Sequence, residues 1–348
     1  MGRRWAFIAA IGAATAATAA LHYSHATALV TFAIATIALA GLAWIVSFST
    51  EQLGERLGPA ATGVLQSTLG NLPEFFVVIF ALSQGEIVIA QTSIIGSVFA
   101  NALFVLGLTV IAGCRASSDG IMRFEPRLAK DNAILMMLAS FLIVLLGVSI
   151  ATGDRASHHV KAISIVGAVA LLVTYLVWLA DYLRSDAPKE AAHAEPATPM
   201  ALTLTLLTAG GIGAAFVSDW FVTALSPSMD RLGIPKAFAG LVIVAIAGNA
   251  VENTAGVMLA LKGEADLAVS VVKNSVAQIN AFLFPALVLV SLFFATPLTF
   301  ALAPIYIAAM LLTGLALWQI TADGEATQFE GVALIALYVI LAVATFYE

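Results

Sequence analysis

Residues 70–86 read "GNLPEFFVVIFALSQGE", and 178 positions later residues 248–264 read "GNAVENTAGVMLALKGE". Gly70 and Gly248, Asn71 and Asn249, Glu74 and Glu252, Gly85 and Gly263, Glu86 and Glu264 coincide without a gap. The same offset runs on into the next segment, where Ser97 meets Ser275 and Phe104 meets Phe282. Identity elsewhere is low, and what repeats is mostly glycine and polar residues. A repeat of hydropathy alone would return Leu and Val, not Gly-Asn-x-x-Glu at one depth of an apolar run.

The apolar setting is extreme. Of 348 residues, 61% are hydrophobic and 10% charged, where a soluble domain carries roughly 25% charged residues. Mean hydropathy is +1.00. Several runs exceed the ~20 apolar residues that cross a hydrocarbon core. A transmembrane barrel would alternate apolar and polar positions, and these runs do not. The chain is therefore read as an all-α polytopic membrane protein whose main partner is the lipid bilayer, with no nucleic-acid partner. The net charge of −6 resides in loops and decides little. A single cysteine, Cys114, excludes an intrachain disulfide framework and a Cys-cluster metal site.

Hydropathy separates eleven spans, at about 5–21, 28–48, 60–82, 87–114, 132–152, 161–183, 200–225, 236–261, 266–294, 298–320 and 330–346. The basic start and small residues near Ala26 would also suit a signal peptide, but a first membrane helix fits the later topology. With the N-terminus in the cytoplasm, the inner connections hold ten Lys and Arg residues and the outer ones four. That bias predicts N-in, C-out, and the expected location is a bacterial inner membrane. A polar, Pro- and Ala-rich linker at 185–199 leaves five spans of the core on either side. Five is odd, so the second set enters from the opposite face and the halves form an inverted repeat. The expected organisation is an N-terminal helix (1–25), a first five-helix repeat (26–184), the cytoplasmic linker (185–199) and a second repeat (200–348).

Glu74 and Glu252 fall near the middle of their spans, where a carboxylate costs roughly 2.5–3.5 kcal/mol on insertion scales. The inverted halves would bring them together at the midplane. Gly70-Asn71 and Gly248-Asn249 weaken the helix one turn before each Glu, and Pro73 adds to the first break. Broken helices free backbone carbonyls that can ligate a cation in a cavity. Asn71 and Asn249 are expected to add amide oxygens, and Ser97 and Ser275 hydroxyls. These are hard oxygen donors, suited to Ca²⁺ rather than to Zn²⁺ or copper, and two carboxylates neutralise one divalent ion. On the partner spans, "GSVFANALFVLG" (96–107) and "KNSVAQINAFLFP" (273–285), Asn101 and Gln278 join Ser97 and Ser275 on or near one face. Asn101 and Gln278 serve equally well as ion ligands or as helix-to-helix hydrogen bonds. Lys273 has two readings: snorkelling to the interface, or facing the site as a proton-coupling or gating ammonium that competes with a cation.

These paired motifs resemble the cation/calcium exchanger superfamily, and most closely its calcium/proton exchanger branch. The carrying residues are Gly70-Asn71-x-x-Glu74 with Gly96-Ser97-x-x-x-Asn101, and Gly248-Asn249-x-x-Glu252 with Ser275-x-x-Gln278-Ile279. "KGEADLA" (262–268) resembles the loop after the family's second motif. The resemblance covers about residue 28 to the C-terminus. It implies ten core helices in two inverted halves, often with an extra N-terminal helix. It further implies that Glu74 and Glu252 bind Ca²⁺ and protons in turn during antiport. Alternating access is then expected, with spans 28–48 and 200–225 as the candidates to slide or tilt. Asn253 stands where that branch usually has His, and Asn274 where it usually has Gly. "GNLPE" leans toward the sodium/calcium branch, so sodium/calcium exchange and monovalent cation/proton antiport on the same fold remain alternatives.

Other classes fit less well. Nothing resembles the filter ring of a passive channel. A membrane enzyme would want a histidine-containing ligand set, and His22, His25, His158, His159 and His193 all lie in loops or at span edges. No cofactor is expected beyond transported Ca²⁺ and H⁺. "RFEPR" (123–127) reads as a solvated loop, and the acids of the linker are too few for a regulatory Ca²⁺ site.

Overall fold

A computed structural model of the chain describes residues 2–57, 69–184 and 198–348, with side chains at all of these except 2–3, 54–55, 57, 126–133, 182–184 and 251–253. The linker at 185–197 lies outside the described residues. In chain order the helices are α1 (Gly2–Tyr23), α2 (Ala28–Leu57), α3 (Leu72–Ser83), α4 (Ile87–Phe99), α5 (Leu106–Ala116), α6 (Pro126–Thr152), α7 (Val160–Arg184), α8 (Met200–Leu232), α9 (Lys236–Phe238), α10 (Ala245–Gly248), α11 (Ala250–Leu261), α12 (Ala265–Gln278), α13 (Phe284–Val290), α14 (Pro304–Thr321) and α15 (Gln328–Phe346). Two short strands, β1 (Ile121–Arg123) and β2 (Glu325–Thr327), complete the set.

Several of these helices are pieces of one span. A π-helical turn, Ala100–Val105, joins α4 to α5; Ala239–Val244 joins α9 to α10; Ile279–Leu283 joins α12 to α13. Among the described residues nine helical segments are long and apolar enough to cross a membrane, and Leu72–Ser83 and Lys236–Gly248 are shorter apolar helices. This set is compatible with eleven spans. Val166, Val173, Leu176 and Val177 of α7 are exposed apolar residues, as the outside of a membrane protein requires.

Packing divides the chain into two compact units, Met1–Ser93 with Leu179–Val251, and Ile94–Trp178 with Glu252–Glu348. Each takes part of both sequence halves, so packing and repeat are different partitions of the chain. In the first unit α2 lies along α8, α1 covers both, and α3 packs on α8. In the second, α5 packs on α15, and α6 on α12 and α14. Gly107 and Gly331 set the α5–α15 crossing: a Cβ on Gly107 would stand 2.6 Å from the Gly331 carbonyl oxygen. With so little side chain between them, the backbones come together as small-residue membrane contacts allow.

The polar contacts between connections carry topological information. In the first unit Arg56, after the second span, donates to the Thr198 carbonyl, after the sixth. Glu86, after the third span, meets Lys236, after the seventh, at 2.8 Å. In the second unit β1, after the fourth span, pairs antiparallel with β2, after the tenth. The Glu125 amide, also after the fourth, donates to Asp266, after the eighth, at 2.6 Å. Each contact joins connections of like parity, which eleven full crossings require.

The stretch "RFEPR" departs from expectation. Arg123 ends strand β1, and the buried Met122 and Phe124 on either side of it anchor the segment. The Phe124 amide donates to the Gly324 carbonyl at 2.8 Å. Exposed Arg123 bridges Asp119 at 2.6 Å and Glu325 at 3.1 Å. Period-two alternation over three residues was too short to register as a strand, and its partner lies some two hundred residues away.

Candidate functional site

The predicted helix breaks are present and nearly identical. Asn71 caps the start of α3 with φ −93° and ψ 15°, and Asn249 caps the end of α10 with φ −95° and ψ 11°. Both sit in the sparsely populated bridge region, a conformation common at functional sites. The Asn71 side chain makes no cap to its helix, and both Asn71 and Asn249 are buried. Pro73, in the first turn of α3, has no amide to lose there.

The first unit brings the first motif copy together with Gly248 and Asn249 of the second. The Glu74 carboxyl is 7% exposed, and its Oε1 accepts a hydrogen bond from Asn249 Nδ2. The same nitrogen donates to the Ala245 carbonyl at 2.9 Å. That second contact fixes the amide, since a flipped Asn249 would set oxygen against oxygen. Asn249 therefore presents nitrogen, not oxygen, to Glu74 in this arrangement. Gly248 leaves the space: a Cβ there would stand 3.0 Å from Glu74 Cγ and 3.2 Å from Oε1. The glycine of one motif thus accommodates the acid of the other.

The second unit holds the partner spans. Ser97, Asn101 and Ser275 are buried, Gln278 half-buried. Asn101 Nδ2 donates to Ser275 Oγ at 3.1 Å, again joining first and second halves. The backbone of Glu252 lies in α11, but its side chain, with that of Asn253, is outside the described residues. Lys273 is 6% exposed, so it is buried in the unit rather than extended to an interface. It stands two residues from Ser275, about 200° around the helix, and faces away from the Asn101–Ser275 contact.

Sequence reasoning missed Asn280. It is fully buried, donates to the Val276 carbonyl at 3.0 Å, and its Oδ1 meets no partner among the described residues. Asn280 is the second residue of its π turn, as Asn101 is of its own. The signal was available as Asn101-Ala102 against Asn280-Ala281, but an ungapped offset of 178 hides a match at 179. The π turns escape sequence patterns because their composition does not differ from that of an ordinary apolar helix. Such turns cluster at functional sites.

Comparison with known proteins identifies the family and the fold. The profile described as "Sodium/calcium exchanger protein" matches residues 27–181 and 202–347. The Ca(2+)/H(+) antiporter ChaA of Bacillus subtilis is 31% identical over 92% of this chain and 93% of its own. A Ca(2+)/H(+) antiporter of Synechocystis sp. is 29% identical over 91% of each chain. The structure of native YfkE superposes with a TM-score of 0.83 at 29% identity, covering 98% of this chain and all of its own.

Proposed function

The chain belongs to the sodium/calcium exchanger protein family, and we propose that it is a secondary active antiporter exchanging cytoplasmic Ca²⁺ for external H⁺. It transports and does not catalyse a chemical transformation. Near full-length relatives that bear the name Ca(2+)/H(+) antiporter support the choice of ions. The observation that carries the reading is the buried Glu74 carboxyl, hydrogen-bonded by Asn249 of the second motif copy.

In the proposed cycle Glu74 and Glu252 form one midplane site. Ca²⁺ is the cargo, and Asn71, Asn249, Ser97, Ser275, Asn101 and Gln278 supply oxygens or orient the carboxylates. A buried carboxylate without a counter-charge is unfavourable. The site therefore crosses either with Ca²⁺ or with protons on its acids, and the bare state is avoided. Obligate exchange follows from that penalty. The long helices α2 and α8, packed together in the first unit, are the candidates to move. The protein sits in a cytoplasmic membrane with its N-terminus inside, on the charge bias of its connections.

A monovalent cation/proton antiporter is the second reading. Buried Lys273 favours it, because an amine in the membrane interior, even on the face of its helix away from Ser275, disfavours a divalent ion more than a monovalent one whenever it is charged. Flux in inverted vesicles separates the two. Ca²⁺ addition should drive proton movement, with Na⁺ and K⁺ neither substituting nor competing at any pH tested. Proton movement driven by Na⁺ or K⁺ alone would replace the calcium reading.

A further inference from the structure

A cavity of about 90 Å³ opens in the first unit where the start of α1, the later part of α2 and the start of α8 converge. Arg4, Trp5, Trp44, Phe48 and the Thr198–Pro199 edge line it. Its apolar wall is ordered: Trp44 stacks on Phe48 at 5.3 Å between centroids, and Phe7 meets Trp44 edge-on at 4.9 Å. Arg4 lies over this wall, its Cζ 5.8 Å from the Phe48 centroid. Among the described residues no carboxylate pairs with Arg4. Beside it Arg56 donates to the Thr198 carbonyl, while its buried Nε finds no partner among the described residues. The first turn of α8 has no side-chain cap.

The rest of the lining is apolar: Trp5 is exposed, and Ile8, Leu202 and Leu206 are half-buried. These are positions at the ends of membrane spans, where Trp belongs to the interfacial belt and acyl chains lie alongside. A water-soluble anion would gain the guanidinium but strand the apolar lining, and an apolar ligand would leave Arg4 without a counter-charge. One chemistry answers both, an anionic group carrying hydrocarbon chains. The three span ends also share the face that the charge bias assigns to the cytoplasm, where anionic lipids concentrate. We infer that this cavity seats the headgroup of an anionic phospholipid, its phosphate against Arg4 and its chains along the apolar lining. The lipid bridges α1, α2 and α8.

The test uses the full-length protein in phosphatidylcholine vesicles titrated with phosphatidylglycerol, with lipid retention read by native mass spectrometry. Arg4→Gln should weaken phosphatidylglycerol retention about fivefold, the effect of one basic residue near an anionic headgroup. Arg4→Lys should keep most of it, and excess inorganic phosphate should not displace the lipid. Equal retention in wild type and Arg4→Gln would overturn the inference. So would displacement by phosphate, which marks a soluble-anion site. Retention gained only when Asp186, Glu190 and Glu195 are made amides would assign the cavity to the acidic linker instead. Because the readout is lipid retention, failure here leaves the exchange reading standing on its own test.

Discussion

The two Gly-Asn breaks share a backbone and differ in what the described residues place around them. Asn71 and Asn249 adopt the same bridge conformation at the same offset from an acid. Yet Gly248 is packed against Glu74, while no atom among the described residues lies within 4 Å of a Cβ on Gly70. The partner spans repeat the lesson. Each is interrupted by a π turn whose second residue is a buried asparagine. Only the second carries a buried lysine, Lys273, where the first has Ile95. The inverted scaffold holds the backbone in register, because both copies must bend at the same depth. Side chains are free to diverge where the backbone bend does not depend on them.

The hardest blow to this comparison falls on the acids. Glu74→Gln and Glu252→Gln should each reduce Ca²⁺-driven proton flux by roughly 100-fold or more, the effect of breaking one member of a buried charged set. Normal flux from either variant would show that the two copies do not act as one site. Next comes the asymmetry of the asparagines. Asn249→Ala removes a hydrogen bond to a charged group and should weaken apparent Ca²⁺ affinity about tenfold. Asn71→Ala should cost less, and equal losses in a calcium titration would make the asymmetry irrelevant to binding.

Gly248→Ala should destabilise by about 1–3 kcal/mol through overpacking against Glu74. Gly70→Ala should be milder, as thermal unfolding in detergent would show. Lys273→Met exchanges a buried ammonium for an apolar chain of similar length. It should stabilise by about 1 kcal/mol, read as a raised unfolding midpoint; a lowered midpoint would reveal a charged partner for the lysine.

The smallest effect is expected at Glu86, in the connection before α4. Burial pushes its carboxyl up, but hydrogen bonds from Lys236 and Ser226 and the Lys236 charge outweigh this and hold it below the ordinary 4.5. A depressed pKa contributes stability that is present above 4.5 and lost as pH falls through the folded value. The half-exposed pair contributes no more than about 1 kcal/mol. Glu86→Gln should therefore flatten the acid side of the stability profile, and an unchanged profile would assign that slope to other groups.

Much of this protein was legible in one dimension. Apolar runs of spanning length and the parity of connections are properties of contiguous residues. So are the Gly-Asn breaks one turn before Glu74 and Glu252, and they fixed a helical membrane protein with inverted halves. Other features depended on which distant residues meet. Asn249 turning its nitrogen to Glu74, Asn101 reaching Ser275, and β1 finding β2 all join segments more than 150 positions apart. The burial of Lys273 on the face away from Ser275 was settled by packing around α12. The π turns that make Asn280 the counterpart of Asn101 were likewise set by tertiary structure, because one extra residue in a helical turn costs little locally and is retained only where neighbouring helices hold it.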